Sequence, residues 1–123
     1  MDFINTPNAP MPIGAYAQAT ASNGLMFISG QLPLTKEGLM VEGVKEQTKQ
    51  SLTNIEAILA AKNLTKNNVL KVQIFTTDLN SFTDINNEYQ TFFGDHTPAR
   101  AVVEVRALPK GAIVEIDAIA TEG

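Results

Sequence analysis

HTPARAVVEVRALPKGAIVEIDAIA, residues 96–120, decides how the rest of the chain is read. Two apolar segments with strand alternation surround Pro109 and Gly111, so the stretch is predicted to be a β-hairpin. Alternation places Ala99, Ala101, Val103 and Val105 on one face of the first strand. Arg100, Val102, Glu104 and Arg106 fall on the other. The small and branched set suits a packed core, which directs Arg100 to the opposite face. In the second strand Glu115 interrupts a strongly β-prone run and shares a face with Asp117. On pattern alone the plainer explanations are favoured: a surface arginine in a weak ion pair, and a solvated strand face. A different reading arises if that face is buried against another subunit. A carboxylate there needs a partner, and Arg100 has the right charge on what the pattern suggests is the same side.

Working outward, FTDINNEYQTFF carries an apolar stripe of Phe82, Ile85, Tyr89, Phe92 and Phe93, and predicts a helix stopped by Gly94. Ser81 with Asp84 three residues on predicts a capping box at its start. NNVLKVQIFTTDL alternates Val72, Ile74 and Thr76 against Lys71, Gln73 and Phe75, the period of a strand. From Val44 to Lys62, apolar residues recur at helical spacing, with Asn63 as a C-terminal cap. KEGLMVEGV, residues 36–44, reads as a loop or short edge strand. Asn23-Gly24 separates two β-prone runs and marks a tight hairpin turn, and Leu25 to Ser29 reads as a buried strand. Pro7, Pro10 and Pro12 make the first 15 residues an extended arm that cannot be helical. The order is β-β-α-β-α-β-β, an α+β class with one mixed sheet in a single domain, 1–123. Right-handed crossovers put both helices on one side of the sheet. The uncovered face is mostly apolar or small, which predicts an oligomer in which sheet faces pack against other subunits.

Composition narrows the function. A chain of 123 residues with 44% hydrophobic and 18% charged residues is an ordinary single globular domain. Its net charge of −4, with scattered lysines, argues against nucleic acid or an anionic membrane as the main ligand. No cysteine is present, which removes thiol chemistry and cysteine-held metals. The one histidine, His96, has no ligand-spaced neighbour and reads as structural; no metal and no cofactor is expected. No apolar run approaches the ~20 residues that span a bilayer, and no leader pattern opens the chain, so the expected location is cytoplasmic. Tyr16, Ser29 and Asn86 have ordinary structural explanations: a packing ring with a wet hydroxyl, a backbone cap and an exposed amide. From residues alone the reading stops at an oligomeric α+β domain with an anion site at an interface.

Several stretches nevertheless resemble the RidA/YjgF family of reactive-intermediate deaminases over nearly the whole chain. PIGAYAQA is similar to that family's I-G-P-Y-x-Q signature and MFISGQLP to its I-S-G-Q strand. VEGVKEQTKQSLTNIEAILAA and FTDINNEYQTFF resemble its two helices, and TPARAVVEVRALPKGAIVEIDAIA its closing signature. The resemblance implies a chorismate-mutase-like fold and a homotrimer with clefts between subunits. It also implies hydrolysis of 2-imino acids, such as 2-iminobutanoate and 2-iminopropanoate, to 2-keto acids and ammonia. Position by position, it assigns the substrate-binding arginine to Arg100 and the water-positioning glutamate to Glu115. Tyr16, Ser29, Asn86 and the backbone of Val102 would line the same cleft. The chain departs from the family pattern at Ala15, where proline is usual, at Val102, often cysteine, and at Asp117, often glutamate. A guanidinium can grip a carboxylate through two parallel hydrogen bonds, and an imine carbon is already electrophilic, so neither metal nor thiol is required. Two rival readings keep the fold: a non-catalytic carboxylate-binding or chaperone-like module, and an endoribonuclease or translation inhibitor. The acidic balance weighs against the second.

Overall fold

The computed structural model describes all residues, Met1–Gly123. Its elements run β1 (Asp2–Ile4), β2 (Ala19–Ser22), β3 (Leu25–Gln31), α1 (Val44–Ala60), β4 (Val69–Thr76), α2 (Phe82–Phe93), β5 (Ala99–Glu104) and β6 (Val114–Thr121). The strands form one six-stranded mixed sheet in the order β1-β2-β3-β6-β4-β5. Only β4 and β5 are parallel neighbours, joined by α2. The Asn23-Gly24 turn is as expected, with φ of 54° and 80°, the left-handed pair that matches strand twist. The proline-rich arm differs from expectation in one respect, since Asp2–Ile4 adds a short edge strand beside β2.

The expected closing hairpin does not form. β5 and β6 lie on opposite edges of β4 and do not pair with each other. The reason lies in burial. In β6, Val114, Ile116, Ala118 and Ala120 are buried in strict alternation, and the strand has partners on both sides, β3 and β4. Pairing it with the half-exposed β5 would give up one of those neighbours. β5 instead closes the β4-α2-β5 crossover, parallel to β4, and forms the sheet edge.

Register defines the two faces. Ile4, Ala19, Ile28, Ala118 and Val72 are successive cross-strand partners and all belong to the buried core, and the residue that ends this row at the edge is Arg100. A parallel row joins Gln31, Ile116, Ile74 and Val102. Both helices cover this face; Leu52, Ile55, Ile58 and Leu59 of α1 and Ile85, Tyr89 and Phe93 of α2 complete the core. The other face has no helix over it. One of its rows reads Phe3, Thr20, Phe27, Ile119, Lys71, Ala99, and others contain Gln73 with Asp117 and Ala101, and Phe75 with Glu115 and Val103. Phe3 is 72% exposed, Phe27 47% and Val103 44%. The uncovered face is thus apolar or small in much of its area, as the pattern suggested.

The face assignment within β5 is the reverse of the expectation. Arg100 and Val102 point to the helices, and Ala99, Ala101 and Val103 to the open side. Alanine and valine suit a covered core and a surface awaiting a partner equally, so alternation by itself cannot rank the faces. The helix caps also differ. Ser81 makes no side-chain cap, and the expected box with Asp84 is absent. Asp78, three residues earlier, instead accepts from the Asn80 N–H and starts the 3₁₀ turn that leads into α2. Asn63 follows α1 with φ of 58°, and Gly94 ends α2 with φ of 63°.

Candidate functional site

Arg100 is carried on the edge strand and roofed by α2. Its Nη1 donates to Asn86 Oδ1 at 2.8 Å. Its guanidinium carbon lies 4.7 Å from the centroid of the Tyr89 ring and 5.7 Å from that of Phe82. No carboxylate pairs with it; the ion pairs of the chain are those of Lys62 with Asp2 and Glu122. A half-buried guanidinium satisfied by one neutral amide keeps several N–H donors for something outside the chain. Asn86 and Arg100 lie at a hollow of about 430 Å³, together with Tyr89, Phe93, His96 and Thr97. His96 is tied to the Val69 carbonyl through Nε2 at 2.8 Å, a structural contact as expected.

Glu115 lies in a different place. It belongs to the uncovered face, in the row of Phe75 and Val103. Arg100 and Glu115 are therefore on opposite sides of the sheet, which corrects the expectation that they share one. Glu115 lines a hollow of about 510 Å³ with Tyr16, Ser29 and Gly30, walled by Pro10, Met11 and Ile13 of the arm, and by Lys110. Burial pushes the Glu115 carboxyl above its ordinary value, and the neighbouring Asp117 charge adds to the effect. Asp117 is raised in turn by burial, which Lys71 partly offsets.

The local sequence builds this second hollow. β3 bulges between Ile28 and Gln31 where it pairs with β6, so Ser29 and Gly30 leave the regular ladder. A Cβ at Gly30 would stand 3.0 Å from Glu115 Cδ, so only glycine lets the carboxylate lie there. Ser29 Oγ donates to the Ala17 carbonyl at 2.7 Å, the backbone-capping role expected of it. That bond ties the strand to the segment behind Tyr16, whose ring is half exposed at the rim. Gln18 is the latch of the arm. Buried to 1% exposure, it accepts from Thr6 N–H at 2.6 Å and donates to the carbonyls of Thr6, Ala9 and Pro10. On the far wall, Asn54 of α1 donates to the carbonyls of Leu32 and Leu34, and both of those residues line the hollow.

The sequence-selected residues thus divide into two groups: Asn86 with Arg100, and Tyr16 with Ser29 and Glu115. The Val102 side chain packs against the core, and its backbone, the part expected at the cleft, lies on the edge strand two residues beyond Arg100. Sequence reasoning passed over Gly30, Gln18 and Tyr89. Gln18 stood in the quoted PIGAYAQA motif, and Gly30 in MFISGQLP. The helical spacing of Tyr89 indicates only a core position, and the orientation of its ring toward Arg100 has no sequence signal. No group of three His, Asp or Glu side chains is arranged to hold a metal ion.

Residues 6–122 match the family described as Endoribonuclease L-PSP. The YjgF gene product of E. coli superposes with a TM-score of 0.96 at 38% identity, each chain fully covered. The chain belongs to the YjgF/RidA family. A RutC family protein of Pyrococcus horikoshii is 46% identical over 97% of this chain and 96% of its own. A Bos taurus relative named 2-iminobutanoate/2-iminopropanoate deaminase is 43% identical over 98% of this chain and 90% of its own. The YjgF/RidA fold accounts for the single mixed sheet with two helices on one face. No helix of the chain is long and apolar enough to cross a membrane.

Proposed function

We propose that this chain is a 2-imino acid deaminase whose active sites lie between subunits of a homotrimer. The observation that carries the reading is the division of the site. An unpaired guanidinium ends a core row on the helix side. A carboxyl with a raised proton affinity occupies a hollow on the open side, and each group lacks what the other has. One chain cannot bring them together, because β4 stands between them. A neighbouring copy seated against the apolar open face can present its own edge strand to the Glu115 hollow.

In the completed cleft Arg100 grips the substrate carboxylate through two parallel N–H donors, which places the imine carbon above Glu115. Glu115 takes a proton from water as the water oxygen bonds to the imine carbon, and a carbinolamine results. The imine nitrogen enters protonated, so the proton held by Glu115 passes to the carbinolamine amine; the C–N bond then breaks as the hydroxyl oxygen forms the C=O bond and gives its proton to Glu115, leaving a 2-keto acid and ammonia. A carboxyl shifted upward by burial is better matched to such proton exchange near neutral pH than an ordinary glutamate. Tyr16, Ser29 and Asn86 shape the cleft, and Arg100 and Glu115 perform the chemistry. The bovine relative's name supports this substrate class.

The test follows 2-ketobutanoate released from an imine made in situ by a pyridoxal-phosphate-dependent dehydratase acting on threonine, with semicarbazide as the competing trap. Wild type should raise the rate above background hydrolysis, and Arg100→Ala should return it to background with the assembly intact by light scattering. An active Arg100→Ala protein, or a wild-type monomer with full activity, would defeat the proposal.

A further inference from the structure

Arg100 is the one cation of its hollow, and its orientation is set by groups that carry no charge. Asn86 takes one hydrogen of Nη1 at 2.8 Å. The Tyr89 ring lies 4.7 Å from the guanidinium carbon on α2, one turn beyond Asn86, and Phe82 lies 5.7 Å away one turn before it. Three residues at positions i, i+4 and i+7 of one helix therefore face a single strand side chain, as residues of that spacing share a helix face. Tyr89 is 8% exposed, and its hydroxyl is buried with no hydrogen-bond partner. Nothing holds that ring by its oxygen; its place is set by packing against Phe93, 4.7 Å between centroids.

The geometry points to Tyr89 as the positioning residue of Arg100: its ring is the platform that fixes the plane of the guanidinium so that the remaining donors meet a substrate carboxylate. The inference rests on the proposed carboxylate-binding role of Arg100. A ring face attracts the cation without occupying any of its N–H groups, and this distinguishes it from an acid partner. A carboxylate in the same place would hold the guanidinium more tightly but would consume the donors that the substrate needs. Asn86 supplies the in-plane restraint, Tyr89 the out-of-plane one. With both in place, an arginine that would otherwise sample many rotamers is ordered before the acid arrives, which lowers the cost of binding.

The expected signature is a rise in KM without a matching fall in kcat, because the carboxylate is held alike in ground and transition states. Tyr89→Leu should raise KM for 2-iminobutanoate about tenfold and leave kcat within about twofold. Binding of 2-ketobutanoate, an inert acid followed by calorimetry, should weaken by the same factor. Tyr89→Phe keeps the platform and should retain wild-type KM and affinity. Its thermal midpoint should equal or exceed wild type, since the lost hydroxyl has no partner. In an Arg100→Ala background Tyr89→Leu should have no further effect on acid binding. Ile85→Val, a core change on the same helix away from the hollow, controls for general loosening and should leave KM unmoved. If Tyr89→Leu does not fold, Phe82→Leu, at the more exposed second ring, should raise KM and weaken binding about threefold.

Wild-type KM and affinity in Tyr89→Leu would overturn the inference, as would equal impairment of Tyr89→Phe and Tyr89→Leu. Where Phe82→Leu stands in, an unchanged value overturns it. Absence of turnover in wild type would remove the deaminase reading while the calorimetric arm still decides the platform. A wild-type chain that binds no keto acid would overturn both.

Discussion

Gly30→Ala separates the position of the Glu115 carboxylate from the stability of the fold. Gly30 is not in the left-handed region, so its backbone accepts alanine without strain. What it lacks is space on the side of Glu115. The new Cβ would stand 3.0 Å from Cδ and 3.3 Å from Cγ, where ordinary contact begins at 3.4 Å, and it would overlap Oε2. The carboxyl carbon must move by about 0.4 Å and the oxygen farther, on the order of 1 Å. A misplacement of that size in a water-positioning group costs roughly 10- to 100-fold in rate. The folded state loses little, because the displaced group is the end of a flexible, half-buried side chain. Replacing glycine also removes freedom from the unfolded chain, worth about 0.4–1 kcal/mol in the opposite sense. The thermal midpoint should therefore stay within a few degrees of wild type while kcat in the semicarbazide assay falls 10- to 100-fold. Retention of wild-type kcat by Gly30→Ala would refute Glu115 as the group that directs water.

Gln18→Ala should cost about 2–4 kcal/mol in urea unfolding, because it deletes four bonds and leaves the buried Thr6 N–H without its acceptor. Limited proteolysis should then cut within residues 5–13 faster than in wild type; unchanged cleavage would mean that Gln18 does not hold the arm. The pH dependence follows from Glu115 and Asp117, both raised from ordinary values of 4.5 and 3.8. A base must be ionised to act, so activity should fall with decreasing pH, with a midpoint above 4.5, and Asp117→Asn should move that midpoint downward by removing a like charge. In the isolated chain the sign for stability is opposite. Between the ordinary and the raised values the native state binds more protons than the unfolded one, so these two groups favour folding more as pH falls through that window. A stability curve for wild type against the Glu115→Gln, Asp117→Asn double variant checks it.

Much of the architecture was present in one-dimensional patterns. The Asn23-Gly24 turn, both helices and the alternation of β4 express local rules: left-handed tolerance at a turn, a stripe every 3.6 residues, a period of two. Tyr16, Ser29, Asn86, Arg100 and Glu115 were legible as candidates through the resemblance of their motifs to the YjgF/RidA family. Their composition, charged or polar residues inside apolar strands, marked only Arg100 and Glu115 as unusual.

Partner choice between strands was not legible, and it decided the rest. Nothing in HTPARAVVEVRALPKGAIVEIDAIA says that β4, twenty residues upstream, will lie between its two strands. A hairpin and a split pair have the same alternation, and only total burial across β3, β6 and β4 distinguishes them. The face taken by Arg100 follows from that choice, because alanine and valine on the alternate positions satisfy either side. The sequence by itself determined which residues are apolar, where the chain turns and which side chains are capable of the chemistry. Tertiary structure alone set Arg100 and Glu115 on opposite sides of one sheet, since burial of long-range strand pairs is a property of the whole fold and not of any window of residues.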